Sequence, residues 1–169
     1  TITAQTSDIS TGAITTSGGA VGLFANNGVV AVSGNIDTRG ADGFDVGNGG
    51  SFFRGTSGGN VTLSSGAAVT VDGSILTSGG DGLSTPSSQS ASDRSGGNGG
   101  NVVANASGDF IVTGTIDSAG GSGGATGNSS APTNGGNGGL VNVDVDGSVD
   151  IGSIATRGGN AGAGSNVTS

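Results

Sequence analysis

The stretch Val69-Thr70-Val71-Asp72-Gly73-Ser74-Ile75-Leu76-Thr77 contains the pattern that decides the fold of this chain. Two apolar alternations, Val-x-Val and Ile-x-Thr, flank a corner made by Asp-Gly-Ser. Period-two pairs of this length are typical of short, half-buried β-strands, because successive side chains of a strand point to opposite faces. Glycine allows the backbone to turn at the corner. The stretch therefore predicts two short strands joined at a corner.

The Gly-x-Ile step of this corner recurs along the chain. Four copies have isoleucines 39, 41 and 38 residues apart, and a fifth lies 22 residues before the first of them. The five isoleucines are Ile14, Ile36, Ile75, Ile116 and Ile154. Such self-similarity indicates units that cannot bury their apolar faces alone and must stack on their neighbours.

A third patch completes the unit. Aligned on the Gly-x-Ile steps, the later copies carry Val21-x-Leu23, Val61-x-Leu63, Val102-x-Ala104 and Val141-x-Val143. Three short strands per repeat predict an all-β fold, a right-handed parallel β-helix (β-solenoid) of about five coils. We expect one segment over residues 1–169, with repeats of about 1–19, 20–57, 58–98, 99–137 and 138–169. The start at Thr1, without Met or a signal-like segment, predicts a fragment of a longer chain.

The spacing also predicts Gly-rich inserts that protrude from one corner of the helix. The first coil is bare, at about 20 residues. Later units carry inserts at roughly 40–58, 79–99 and 120–138, and a fourth begins at Gly158. Two interpretations are open for the inserts. They are flexible loops, or they stack into an ordered second layer, because glycine allows backbones to approach closely.

Composition excludes several classes of protein. The chain has 169 residues, 40 of them Gly, and no Cys or His, and it also lacks Lys and Glu. Helix is therefore disfavoured, and the absence of a strict Gly-X-Y triplet excludes collagen. A net charge of −8 argues against nucleic acid and anionic membranes as partners. No apolar run approaches ~20 residues, so no membrane span is expected.

The residue types present do not indicate a catalytic site. A nucleophile–base pair needs His, Cys or an equivalent, so we expect no enzyme and assign no catalytic, cofactor-binding or metal residues. Asp37 and Asp117 should point outward, one on each side of the coil that carries Leu76. Asp144, Asp146 and Asp150 cluster around one turn. A solvated acidic surface explains these carboxylates.

Calcium is the metal that the available oxygen ligands would suit. The stretch Gly40-Ala41-Asp42-Gly43-Phe44-Asp45-Val46 partly resembles the calcium-binding nonapeptide of RTX repeats. It departs from that pattern at the second Gly and is not iterated. A calcium cofactor is therefore a minor alternative.

Two binding functions remain as alternatives. A carbohydrate-binding or carbohydrate-active β-helix would need an acidic groove with aromatic platforms, and the chain offers five Phe residues, of which Phe110 replaces a core Val. We expect Phe44, Phe52 and Phe53 to pack the first insert onto the helix. Ice binding would need outward files of Thr, whereas the column from Thr16 to Thr156 shares the parity of the buried isoleucines and should point inward.

The chain resembles the repeats of filamentous-haemagglutinin-like exoproteins, which are large bacterial surface proteins exported by two-partner secretion. The patterns Gly-x-Ile-x-Thr-x-Gly, Gly-x-Val-x-Leu and Gly-x-x-Val-x-Val carry the resemblance over all five coils. It implies an extracellular or cell-surface segment with a structural or adhesive role. The open coil ends favour the chain itself as the partner, in a head-to-tail filament or against neighbouring coils of a parent chain, with surface glycans as a further partner.

Overall fold

The computed structural model describes residues 1–45, 52–84, 94–125 and 132–163. Within these ranges the chain is all-β and almost without helix, as the composition predicts. The strands of this part of the chain are β1 (Ile2–Ala4), β2 (Ile9–Thr11), β3 (Ile14–Thr15), β4 (Val21–Ala25), β5 (Val30–Val32), β6 (Ile36–Asp37), β7 (Phe44–Asp45), β8 (Phe52–Phe53), β9 (Val61–Ser65), β10 (Val69–Val71), β11 (Ile75–Leu76), β12 (Val102–Ala106), β13 (Phe110–Asp117), β14 (Val141–Val145) and β15 (Val149–Ala155).

The first sheet takes one strand from each repeat. Its order is β1-β4-β9-β12-β14, and every neighbouring pair is parallel. Val21 pairs with Val61, which pairs with Val102, which pairs with Val141. The alignment of the Val-x-Leu patches is thereby confirmed position by position.

The second sheet contains the other two strands of each repeat, as two parallel columns. One column runs β2-β5-β10-β13 and the other β3-β6-β11-β13, and β15 continues both by pairing with β13. The Gly-x-Ile isoleucines lie in register throughout the second column. The prediction of three separate strands per repeat is wrong for the last two repeats. Strands β13 and β15 each continue through the Gly corner, and their pairing shows only a register shift between Val112 and Thr115.

Strands β1 and β2 belong to the first repeat and were not among the predicted patches. Ile2 pairs with Leu23, and Ile9 pairs with Val30. Their patches end in Ala4 and Thr11 instead of a second large apolar residue, so the alternation is weaker in sequence. Pairing with the second repeat orders them.

The core lies between the two sheets. Inward side chains of the middle repeats, such as Leu63, Val69 and Ile75, have no exposed surface. The last repeat packs on only one side among the described residues, so Val149 and Ile154 remain 53% and 52% exposed.

The Gly-rich inserts form two further layers beside the sheets. Four outgoing arms (38–45, 77–84, 118–125 and 156–163) follow the third strand of a repeat, and three return arms (53–60, 94–101 and 132–139) lead to the next repeat. The N–H of Gly40 donates to the Ser78 carbonyl, and three residues later Gly43 donates to Asp81. This three-residue step, typical of polyproline II chains, is repeated between the later outgoing arms and between the return arms.

Hydrogen bonds also join the two layers of arms. Within the first insert Gly59 donates to the Thr38 carbonyl, and between inserts Gly80 donates to the Thr56 carbonyl. For the described arms, the interpretation of an ordered second layer is thus confirmed.

Candidate binding groove

A groove of about 620 Å³ crosses the outgoing arms. Its lining begins at residues 15–17 in the first repeat and ends at residues 157–160 in the last. Five stacked levels at ~4.8 Å make the groove roughly 19 Å long. It therefore runs along the direction in which the repeats stack.

Glycines form part of this lining because the arms behind them are too close for side chains. A Cβ built at Gly79 would overlap the carbonyl oxygen of Gly97 in the return arm, and one at Gly120 would overlap that of Gly136. The two layers can approach to hydrogen-bonding distance only where these positions lack a Cβ. This packing explains the Gly-Gly-x triplets of the inserts.

The third residue of each triplet caps the backbone of the next repeat. The N–H of Asp81 donates to Oδ1 of Asp42 (2.9 Å), and the N–H of Ser122 donates to Oδ1 of Asp81 (2.7 Å). In the return arms, Asn98 Oδ1 accepts from the N–H of Asn137 (2.8 Å) in the same way. A short side chain with an oxygen acceptor is therefore required at these positions, which explains the prevalence of Asp, Asn and Ser.

We expect Asp81→Ala to lower the free energy of unfolding by about 1 kcal/mol, because it removes the acceptor of the Ser122 N–H. Asp81→Asn keeps an oxygen at the Oδ1 position and should change stability much less. Urea unfolding measures the energies, and amide exchange should show faster exchange at Ser122 in the alanine variant alone. Equal exchange at Ser122 in both variants would contradict the capping role.

An ion pair forms part of the groove lining. Arg39 Nη2 is 2.6 Å from Asp37 Oδ2, and Arg39 Nε also donates to this carboxylate. The Arg39 hydrogen bond lowers the pKa of the Asp37 carboxyl, although burial opposes the shift, and the same bond raises the pKa of Arg39. With Arg39 54% exposed, the pair contributes little to stability.

The carboxylates that were predicted to point outward lie at the sequence positions expected from the strand register. Asp37 and Asp117 both pair with Leu76, on either side of it, so a whole repeat separates them. Asp144 lies in β14 and Asp150 in β15, with Asp146 in the turn between. Among the described residues, no group of three or more carboxylates is arranged to hold a metal ion.

The calcium-like stretch is divided between two environments. Asp42 Oδ1 accepts the N–H of Asp81, and Asp45 lies in the two-residue strand β7. Val46, the last residue of that stretch, lies outside the described residues.

The Thr column points inward, as predicted. Thr38, Thr77 and Ser118 are fully buried, and their hydroxyls donate to carbonyls of the return arms: Thr38 to Gly59 (2.7 Å), Thr77 and Ser118 to Gly100 (2.9 and 2.6 Å). These hydroxyls thus join the sheets to the Gly-rich layers. The outward neighbours Thr15, Asp37, Leu76, Asp117 and Ala155 are in register and form no Thr file.

Among the described side chains, no aromatic ring lines the groove. Phe110 is buried in the core as predicted. Phe44 and Phe53 stack on each other, with ring centroids 4.7 Å apart, across the antiparallel pair β7–β8. Both remain about half exposed, so they join the two arms of the first insert to each other, and the expectation that they pack it onto the sheets was wrong for these two rings. The side chain of Phe52 lies outside the described part of the structure.

The groove itself was not predicted from the sequence. The available signal is the period of three in stretches such as Gly96-Gly97-Asn98-Gly99-Gly100-Asn101. That period indicates three-fold extended chains packed through their glycines. It does not reveal which side of the layers forms a concave face.

Comparisons with protein-family models, curated proteins and solved structures gave no match to this chain. In the described part of the chain, no helix has the length and apolar character needed to cross a membrane. The function therefore has to be inferred from the residues and their geometry.

Proposed function

We propose that the chain is a right-handed parallel β-helix of about five coils, and that it serves as a structural or adhesive segment of a secreted bacterial surface or extracellular-matrix fibre. The observation that carries the proposal is the constant register of the second sheet from Ile14 to Ile154. Each repeat pairs with its neighbours in the same way, so the architecture can be extended without a change of geometry.

The resemblance to filamentous-haemagglutinin-like repeats supports the same role. The shared patterns occupy the strands and corners that stack. The Gly-rich arms add a second hydrogen-bonded layer to the stack, and such a layer would stiffen a rod. A stiff rod suits a protein that extends from a cell surface or links cells in a matrix.

The ends of the stack support self-association. Among the described residues, β14 has a neighbour on one side only, as does β15. Leu140, Val149 and Ile154 are each more than half exposed at this end, and Ile2 is 50% exposed at the other. An unpaired strand edge with apolar side chains is a template for another strand. The stacking partner we propose is the first repeat of a second copy.

We expect head-to-tail oligomers to form as the protein concentration rises, visible by sedimentation velocity and as filaments by electron microscopy. Ile154→Lys should reduce assembly at least tenfold, because a desolvated ammonium would lie at the stacking face. Asn142→Lys is the matched control, since Asn142 is exposed on the outer face of β14, between the core-packed Val141 and Val143. Monomers alone at high concentration, or equal loss of assembly in both variants, would refute stacking through this end.

A further inference from the structure

We propose that the groove across the outgoing arms binds the extended chain of a neutral polysaccharide, lying along the stacking direction. The groove joins all five repeats and is lined mainly by polar groups. This goes beyond the structural role, because it assigns a ligand to the row of inserts.

The backbone of the groove offers hydrogen-bond acceptors. Gly40, Gly79 and Gly120 line it, and their carbonyl oxygens accept no hydrogen bond within the described ranges. The N–H groups of residues 79–82 are all used: Gly79 donates to Ala119, Gly80 to Thr56, Asp81 to the Asp42 side chain and Gly82 to Ser122. A peptide strand needs alternating free donors and acceptors. A ligand rich in hydroxyl donors fits this backbone better than a peptide does.

The side chains add charged acceptors, and the positive and negative charges of the lining nearly cancel. Asp42 and Asp81 use Oδ1 for the capping bonds, and their Oδ2 atoms have no partner among the described residues. Hydroxyl groups bind such carboxylate oxygens strongly. The lining holds three carboxylates, of Asp37, Asp42 and Asp81, against the guanidinium groups of Arg39 and Arg157. This balance favours a neutral polymer over a polyanion.

The shape of the groove favours a linear polymer over a single sugar. Equivalent groups recur once per repeat at ~4.8 Å, an interval similar to that between sugars in an extended glycan. Since no described residue of the lining is aromatic, affinity would come from many polar contacts along the chain.

Affinity electrophoresis of the whole chain through gels that contain soluble polysaccharide tests the proposal. The probes are glucomannan and mixed-linkage β-glucan, which are neutral and extended, with heparin and polygalacturonate as polyanions. We expect retardation by at least one neutral probe and none by the polyanions. Ser78→Phe, which would fill the middle of the groove, should weaken that retardation at least tenfold. Asn137→Phe on the return-arm layer is the matched control, because Asn137 is exposed and outside the lining. Its backbone N–H keeps the bond to Asn98 Oδ1, and its own side chain caps no other described arm.

A second variant separates binding from folding. The double variant Asp42→Asn with Asp81→Asn keeps the capping oxygens but removes both charges, and should weaken retardation about threefold, since charge-assisted hydrogen bonds are about twice as strong as neutral ones. Circular dichroism should be unchanged. No retardation by either neutral probe, retardation by a polyanion alone, or equal loss in Ser78→Phe and Asn137→Phe would each overturn the proposal. Filament formation is measured without glycan, so failure here is distinct from failure of the stacking model.

Discussion

Gly79→Ala is expected to lower the free energy of unfolding by about 3 kcal/mol, the upper end of the range for overpacked sites. A Cβ at this position would overlap the carbonyl oxygen of Gly97. Neither backbone can move aside easily, because the N–H of Gly79 donates to Ala119 and the N–H of Gly97 donates to Gly80. The overlap therefore has to be relieved by separating the two layers of arms. Urea unfolding followed by circular dichroism measures the loss.

Gly158→Ala is the matched control for this effect. Gly158 occupies the equivalent position in the last outgoing arm, but the nearest atom to a Cβ there, the Gly136 carbonyl oxygen, is 3.5 Å away. The free energy of unfolding of Gly158→Ala should be unchanged, or raised by up to about 1 kcal/mol, because alanine reduces the conformational entropy of the unfolded chain. A Gly79→Ala variant as stable as Gly158→Ala would show that the layers are not packed in this way.

Much of the strand arrangement could be predicted because it depends on local alternation. Val-x-Leu and Ile-x-Thr patches fix which side chains face inward, and their spacing fixes which strands pair. The burial of Thr38 and Thr77 followed from the same parity. These properties need only the sequence order of apolar residues.

The groove and its capping side chains could not be predicted in the same way. The bond from Asp81 to Asp42 joins residues 39 positions apart, and it exists only because two insert arms lie side by side. Composition indicates that Asp, Asn and Ser favour loops, but it does not distinguish a solvated loop from a capped layer. The merging of two strands into β13 is also tertiary in origin, since the pairing with β15 continues past Gly114.

Phe110→Ala is expected to cost about 3–5 kcal/mol, the range for removing a buried aromatic ring from a core. Phe110 is fully buried in β13, where it pairs with Val69 on one side and Val149 on the other. Its ring occupies a position that three other repeats fill with valine and the first fills with Ile9, so its neighbours are arranged around a larger side chain. Truncation leaves a cavity that this stacked core cannot close without shifting a whole repeat.

Phe110→Val tests whether the repeats are interchangeable. If each repeat adapts independently, replacing Phe110 by the valine found at aligned positions should leave the free energy of unfolding nearly unchanged. We expect instead a cost of about 1–2 kcal/mol, because the remaining cavity is smaller but still present. Phe44→Ala, at a half-exposed ring of the β7–β8 pair, should cost only about 0.5–1.5 kcal/mol, the value of an aromatic pair. Urea unfolding of the three variants measures this order, and a loss at Phe44 equal to that at Phe110 would place the main core among the inserts and not between the sheets.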